Sequence, residues 1–436
     1  MNAWYLICFL SALAVFLAFS NQYILKLQST IAITTGSVVL SLLLILSGKF
    51  AGADTALALE HIVSGLNFNQ LLLKGMLGFL LFAGALEIDL HAMRKQRWEI
   101  TILVLFSTLA STFIVGYLSY WLLGLVGWQV PFIYCLLFGA LISPTDPIAV
   151  LAIIKQMRAP EGISIQVEGE SLFNDGVGLV VFTTIFAVAF SGGSPTFGGV
   201  AHLFLEDAVG GVLFGFVLAL IGHVLLILSK DANIRLLVTM TIPSAGFALA
   251  NIMDISGALA MVVAGIFIGN VTRDRLPVKD PEDAHENLYV QHFWHATDSF
   301  LNALLFLIIG LLLVTMPISM EEIGLGLMMI PLVLLARFIS VILPFSVFRR
   351  FRSYDVNSVK ILTWGGLRGG LALAMAASIP SGKVMVHNVD LHSLLVLMTY
   401  MVVIFSIIVQ GLTISPLIRQ SIAAAKARGE KLGDGE

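Results

Sequence analysis

Besides Glu168, four polar residues fall within one short stretch, Glu168-Gly169-Glu170-Ser171-Leu172-Phe173-Asn174-Asp175-Gly176. At 3.6 residues per helical turn, Glu170, Ser171, Asn174 and Asp175 share one face. That face carries a carboxylate, a hydroxyl, an amide and a second carboxylate. Hard oxygen donors of this kind suit small hard cations. A third acid, Asp146, sits between two prolines in Ile142-Ser143-Pro144-Thr145-Asp146-Pro147. An arginine, Arg368, sits among glycines in Trp364-Gly365-Gly366-Leu367-Arg368-Gly369-Gly370. No Cys/His set offers a transition-metal site. Cys8 and Cys135 lie in apolar runs and do not suggest a disulfide framework. His292 and His295, at i, i+3 spacing, read as a pair at a membrane interface.

The elements that position these residues follow from composition. The chain has 436 residues, is 58% hydrophobic, and carries only 12% Asp, Glu, Lys and Arg. Its mean hydropathy is +0.96. The charged share is about half the roughly 25% usual in soluble domains. That excludes a water-soluble enzyme, and the apolar content excludes disorder. A net charge of -3 with no basic stripe excludes a nucleic-acid partner. Apolar runs close to the roughly 20 residues needed to span a bilayer recur along the chain. They predict an all-α polytopic membrane protein with thirteen spans: 3–19, 28–47, 70–90, 99–124, 130–157, 163–190, 203–228, 234–252, 255–270, 292–315, 322–348, 357–379 and 391–418. The eighth and ninth are parted only by Met253 and Asp254. The hydrophilic stretch 271–291 reads as a linker between halves, and 421–436 as a short cytoplasmic tail. The first run has no positive charge before it and no A-x-A-like site, so it reads as an uncleaved helix.

Thirteen crossings put nineteen of the 24 basic residues in one set of loops. By the positive-inside rule that side is cytoplasmic, with the N-terminus outside and the C-terminus inside. Short loops and a short tail point to a prokaryotic plasma membrane.

Ionisable residues inside a membrane cost about 2.5–3.5 kcal/mol on insertion scales and mark ion or proton paths. Here they are Asp146, Glu170, Asp175, Asp298, Arg337 and Arg368, while Glu87, Asp89 and Glu168 lie near span ends and can snorkel. Asp146, Asp175 and Arg368 fall near the midplane. Prolines break the fifth span at Asp146, and glycines break the twelfth at Arg368. Non-helical backbone at this depth is tolerated only inside protein or beside a water-filled cavity. The two breaks are seven spans apart, so their helices run in opposite directions, the pattern of an inverted-repeat transporter.

These motifs resemble those of the cation:proton antiporter-1 family, the NhaP-like sodium/proton antiporters related to animal sodium/proton exchangers. The resemblance covers about residues 3–420 and rests on Ser143-Pro144-Thr145-Asp146-Pro147, Glu170-Ser171-Leu172-Phe173-Asn174-Asp175-Gly176 and Gly365-Gly366-Leu367-Arg368-Gly369. It implies that Asp175 carries the cation and the proton, and that Thr145, Asp146 and Ser171 help at the ion site. It marks Asn174 as the sign of the electroneutral branch and Glu170 as the structural partner of Arg368. It further implies a transmembrane antiporter domain over 1–420. A moving core of about 99–190 and 322–418 would work against a dimer-forming part of about 3–90 and 203–315, in a homodimer. Some relatives place an acid in the middle of the third span. Here that stretch is Phe82-Ala83-Gly84-Ala85.

The expected function is exchange of sodium, and possibly lithium, for protons. Cation and proton compete for Asp175, and the protein changes face only with that acid neutralised. One Asp beside a neutral Asn predicts one proton per cation. Asn174 is expected to steady Asp146, and Arg368 to find its counter-ion in Glu170. The expected partners are a monovalent cation, a proton, membrane lipid and a second copy of the chain. No cofactor and no enzymatic activity are expected. Potassium/proton exchange is the nearest rival reading. A cation channel would want a continuous pore. An intramembrane aspartyl protease of the presenilin type would want a Gly-x-Gly-Asp segment, which is absent.

Overall fold

The computed structural model describes residues 3–51, 68–190, 197–275, 281–316, 319–348 and 356–427. Its helices are α1 (Ala3–Tyr23), α2 (Ser29–Ala51), α3 (Phe68–Glu87), α4 (Arg97–Leu125), α5 (Phe132–Ile142), α6 (Ile148–Gln156), α7 (Glu161–Phe190) and α8 (Phe197–Leu228). There follow α9 (Ala232–Ile252), α10 (Gly257–Arg275), α11 (Pro281–Leu311), α12 (Met320–Phe348), α13 (Val356–Trp364), α14 (Gly370–Ala377), α15 (Leu391–Thr413) and α16 (Ser415–Ala427). Among the described residues, ten helices are long and apolar enough to cross a membrane. The fold is the nearly all-helical membrane architecture that the apolar runs predict.

Both expected interruptions are present. α5 and α6 are the halves of the fifth span, parted at Ser143–Pro147, and α13 and α14 the halves of the twelfth, parted at Gly365–Gly369. The eighth and ninth spans are two helices, α9 and α10. Asp254 turns the chain between them with φ 53°, and the Ser256 side chain caps α10 by accepting from Leu259 N–H. One boundary differs from expectation. The stretch 271–291 is not all linker, because α11 begins at Pro281. Hydropathy hid this start. Pro at the first helical position, followed by Glu282 and Asp283, is a helix-start signal independent of apolar periodicity. Of the expected tail 421–436, residues 428–436 lie outside the described residues.

Packing sorts the helices. α4 packs on α5 and α12, α7 on α5, and α12 on α15. Separately, α3 and α8 pack on α10, and α11 on α1 and α2. Ser41 of α2 donates to the Gly310 carbonyl of α11 at 2.9 Å, where the backbones come close. α7 touches both sets, meeting α8, α10 and α3. Single π turns interrupt several helices, among them Leu103–Ser107 in α4 and Ser406–Gln410 in α15. Such turns redirect side chains and often sit at functional sites. Both do so here, as described below. Between α14 and α15, a hairpin of β1 (Met385–Val386) and β2 (Val389–Asp390) turns at His387 and Asn388. Both turn residues have positive φ, 53° and 66°, as a tight hairpin turn requires.

Candidate ion-binding site

The two broken spans cross at their breaks. Asp146 N–H donates to the Leu367 carbonyl at 2.8 Å, an isolated antiparallel bridge between the two unwound segments. Proline chemistry explains what surrounds it. In an uninterrupted helix the Ser143 carbonyl would accept from the N–H of residue 147, but Pro147 has none. The Arg368 guanidinium takes that carbonyl instead, and also the Pro144 carbonyl at 3.0 Å. Arg368 N–H donates to Ser406 Oγ, presented by its π turn, at 2.8 Å. A cation thus sits at the carbonyl end of α5, where the helix dipole favours it. At the opposite ends, the Asp146 carboxylate accepts from Ile148 N–H at 3.0 Å at the start of α6. It also lies against Gly369, just before α14 begins, where a Cβ would overlap the carboxylate. Two helix N-termini therefore converge on one negative charge.

This arrangement corrects the pairing expected for Glu170. Its partner is Arg337 of α12, not Arg368. Arg337 donates to Glu170 through Nη1 at 2.5 Å and Nη2 at 2.8 Å, a bidentate pair with both side chains buried. Arg337 also donates to the Leu362 carbonyl near the end of α13, at 3.2 and 3.0 Å, and to Ser107 Oγ at 3.3 Å. Each of the two buried arginines therefore serves the carbonyl end of one broken span. Arg368 is committed to the Ser143 carbonyl orphaned by Pro147 and to the Pro144 carbonyl, which leaves Glu170 to Arg337.

Asn174 also differs from expectation. Its amide N–H donates to Thr145 Oγ1 at 2.7 Å, and its Oδ1 accepts from Thr145 N–H at 3.3 Å. It steadies Thr145 rather than Asp146. Thr145 Oγ1 and Ser171 Oγ lie 3.2 Å apart. Thr145, Ser171 and Asn174 are buried as one hydroxyl–amide cluster across the break and α7.

A cavity of about 480 Å³ adjoins this cluster. Thr145, Asp146, Ser171 and Asp175 line it together, so the structure gathers these four sequence-derived residues on one surface. Asn174 and Glu170 lie behind that surface, and Arg368 lies behind the break. The Asp175 carboxylate accepts no hydrogen bond from any described residue. The cavity also meets Gln28, Glu87, Lys155 and His295, which lie towards the start of α2, the end of α3, the end of α6 and the first half of α11. Alternating crossings put these positions on one membrane face, and His295 there is exposed. On the opposite half, Asn69 donates to the Ala377 carbonyl at 3.3 Å and Thr183 to Asp207 at 3.0 Å, tying the two packing groups together.

His295 pairs with Glu87 at 3.2 Å across α11 and α3, so its partner is an acid rather than His292. Asp89 caps the short helix Leu90–Lys95 by accepting from His91 and Ala92 N–H. Sequence reasoning placed Asp298 inside a span but not at the site, and did not consider Asn302. Both line the cavity from α11. The i, i+4 spacing of two polar residues on an apolar helix was the available signal.

The sodium/hydrogen exchanger transmembrane family matches residues 12–420 of the chain. The chain is 39% identical over 416 residues to the Na(+)/H(+) antiporter NhaP of Pseudomonas aeruginosa, covering 94% of this chain and 95% of that one. It is 31% identical to the Na(+)/H(+) antiporter NhaG of Bacillus atrophaeus, over 85% of this chain and 68% of the relative. Its fold matches that of the sodium proton antiporter MjNhaP1 from Methanocaldococcus jannaschii at pH 8, with a TM-score of 0.74 at 18% identity, over 97% of this chain and all of that one.

Proposed function

This chain belongs to the sodium/hydrogen exchanger family, and we propose that it exchanges sodium for protons across the plasma membrane, one for one, at Asp175. The observation that carries this reading is the Asp175 carboxylate. It faces a cavity lined by the Thr145 and Ser171 hydroxyls and Asp146, with no hydrogen-bond donor from the described residues satisfying it. A charged carboxylate enclosed by protein needs neutralising. A proton does so by forming the acid, and a sodium ion does so by coordination to oxygen. The two exclude each other on the same oxygens. Thr145 and Ser171 supply further hard oxygen ligands, and lithium fits the same donor set. Asn174 brings no charge to the centre, so one cation replaces one proton.

The cavity reaches the face that carries most of the basic loops, which is read as cytoplasmic with the N-terminus outside. Exchange follows when the group of α4–α7 and α12–α15 moves against α1–α3 and α8–α11, breaking contacts such as Thr183–Asp207 on the opposite half. We read the second group as the dimer-forming part of a homodimer, as the family resemblance implies.

The test is dissipation of an imposed pH gradient in proteoliposomes by sodium, lithium and potassium, for wild type and Asp175→Asn. Sodium and lithium collapse the gradient in wild type, and Asp175→Asn abolishes the response. Substantial exchange by Asp175→Asn removes that residue from the centre. A potassium response exceeding that to sodium reassigns the cation.

A further inference from the structure

The cavity that Asp175 lines carries a second polar pair. α11 contributes Asp298 and Asn302, while α3 contributes leucines and Gly84. Asn302 Nδ2 donates to Asp298 Oδ2 at 3.0 Å, which fixes the amide orientation. Asn302 is only 3% exposed, and its Oδ1 has no hydrogen-bond partner. A buried acceptor left unpaired carries an uncompensated desolvation penalty, so such an atom calls for an explanation. The carboxylate beside it is fixed through one oxygen only. Together the two side chains offer an amide carbonyl and a carboxylate oxygen one helical turn apart on one face. These are hard donors of the type that holds small cations. Lys155, Glu87 and His295 line the same cavity, and Glu87 is held by His295.

We propose that Asp298 and Asn302 form a second station for the transported monovalent cation, on the α11 side of the cavity that Asp175 lines. The station binds the cation as it enters from the cytoplasmic face and passes it to Asp175 in the same cavity. This rests on the antiport reading above and extends it. Asp298 and Asn302 belong to α11, which packs with α1 and α2, whereas Asp175 belongs to the group that moves. When that group turns Asp175 to the other face, the station stays behind. It therefore raises cation affinity from one side of the membrane only.

The experiment measures the sodium dependence of exchange in everted and in right-side-out membrane vesicles, which present opposite faces to added sodium. Loss of one charged ligand, comparable to one charge-assisted hydrogen bond, corresponds to about a tenfold change in affinity. Asp298→Asn is expected to raise the KM for sodium about tenfold in everted vesicles. In right-side-out vesicles the KM stays within about twofold of wild type. Asn302→Leu shifts KM in the same sense, and Asn302→Asp, which keeps an oxygen donor, restores it at least in part. An equal shift on both faces, no shift, or a shift confined to right-side-out vesicles overturns the proposal. So does a fall in maximal rate alone, which is the mark of a merely structural pair. If Asp298→Asn does not assemble in the membrane, Asp298→Glu and Asn302→Leu decide by the same comparison. Failure here leaves Asp175→Asn inactive and the antiport reading intact. Failure of the antiport reading would appear instead as exchange surviving Asp175→Asn.

Discussion

Replacing Glu170 by glutamine preserves shape and removes one charge. Arg337 then loses its anionic partner and at least one of the two bonds of 2.5 and 2.8 Å, and keeps the Leu362 carbonyl and the Ser107 hydroxyl. The side chains of the pair are 4% and 2% exposed, so water cannot take over. Removing one partner of a buried pair costs about 3–5 kcal/mol, much of it the uncompensated charge left behind. Removing the second charge as well relieves that penalty. The cycle of Glu170→Gln and Arg337→Gln should therefore give a coupling energy of about 2–3 kcal/mol, near the top of the range for contacting residues. Arg368 lies nearby but is bonded to the Ser143 and Pro144 carbonyls. The cycle of Glu170→Gln and Arg368→Gln should give less than about 1 kcal/mol. Both cycles are measurable by equilibrium unfolding in mixed detergent micelles, followed by tryptophan fluorescence. A larger coupling to Arg368 than to Arg337 would refute the assignment, and with it the argument that the prolines reserve Arg368 for the backbone.

Gly369→Ala places a methyl group on the Asp146 carboxylate. It should destabilise by about 1–3 kcal/mol, as overpacking does, and should abolish exchange; normal gradient dissipation by this variant would show that the breaks need not cross so closely. Asn174→Asp removes the amide donor to Thr145 and adds a charge beside Asp175. Exchange by this variant should respond to an imposed membrane voltage while wild type does not, and equal voltage responses would contradict the one-for-one stoichiometry. Outside the membrane, burial tends to raise the Asp390 carboxyl. Bonds from Ser381 Oγ, Gly382 N–H and His392 N–H outweigh it and hold the carboxyl below its ordinary value. A carboxyl depressed in the folded state stabilises the hairpin above its ordinary pKa, and that contribution is lost as pH falls through the depressed value. Hydrogen-exchange protection of Gly382 should fall in that acidic window, and Asp390→Asn should flatten the profile.

Much of the architecture was legible because a bilayer demands long apolar runs and penalises exceptions. The breaks at Asp146 and Arg368 stood out by the same logic. Grouping Thr145, Asp146, Ser171 and Asp175 needed helix periodicity and the family motifs. What the sequence did not carry was partner choice among equivalents. Arg337 and Arg368 are both midmembrane arginines, and either has the charge to satisfy Glu170. The deciding fact is a missing N–H at Pro147, whose consequence appears only once the second break is laid across the first. Asn174 was misjudged for a similar reason. It is one turn from Ser171, and the hydroxyl it serves arrives from another span. The start of α11 at Pro281 escaped because its first turns are polar, and hydropathy registers membrane segments rather than helices.

The accounting of buried charge narrows the chemistry. Arg368 is held by two carbonyls, and Arg337 and Glu170 by each other. Asp146 is tied to the N–H that opens α6 and lies beside the start of α14. Asn174 is spent on Thr145. Each of these groups has a fixed protein partner. Asp175 alone among the midmembrane charges has none among the described residues, and it faces the cavity. The crossed breaks are therefore a frame whose charged groups are held by protein partners. Such a frame can move as a unit with one unmatched carboxylate. In the proposed exchange, the permeant ion, whether metal or proton, supplies the charge that the frame leaves open.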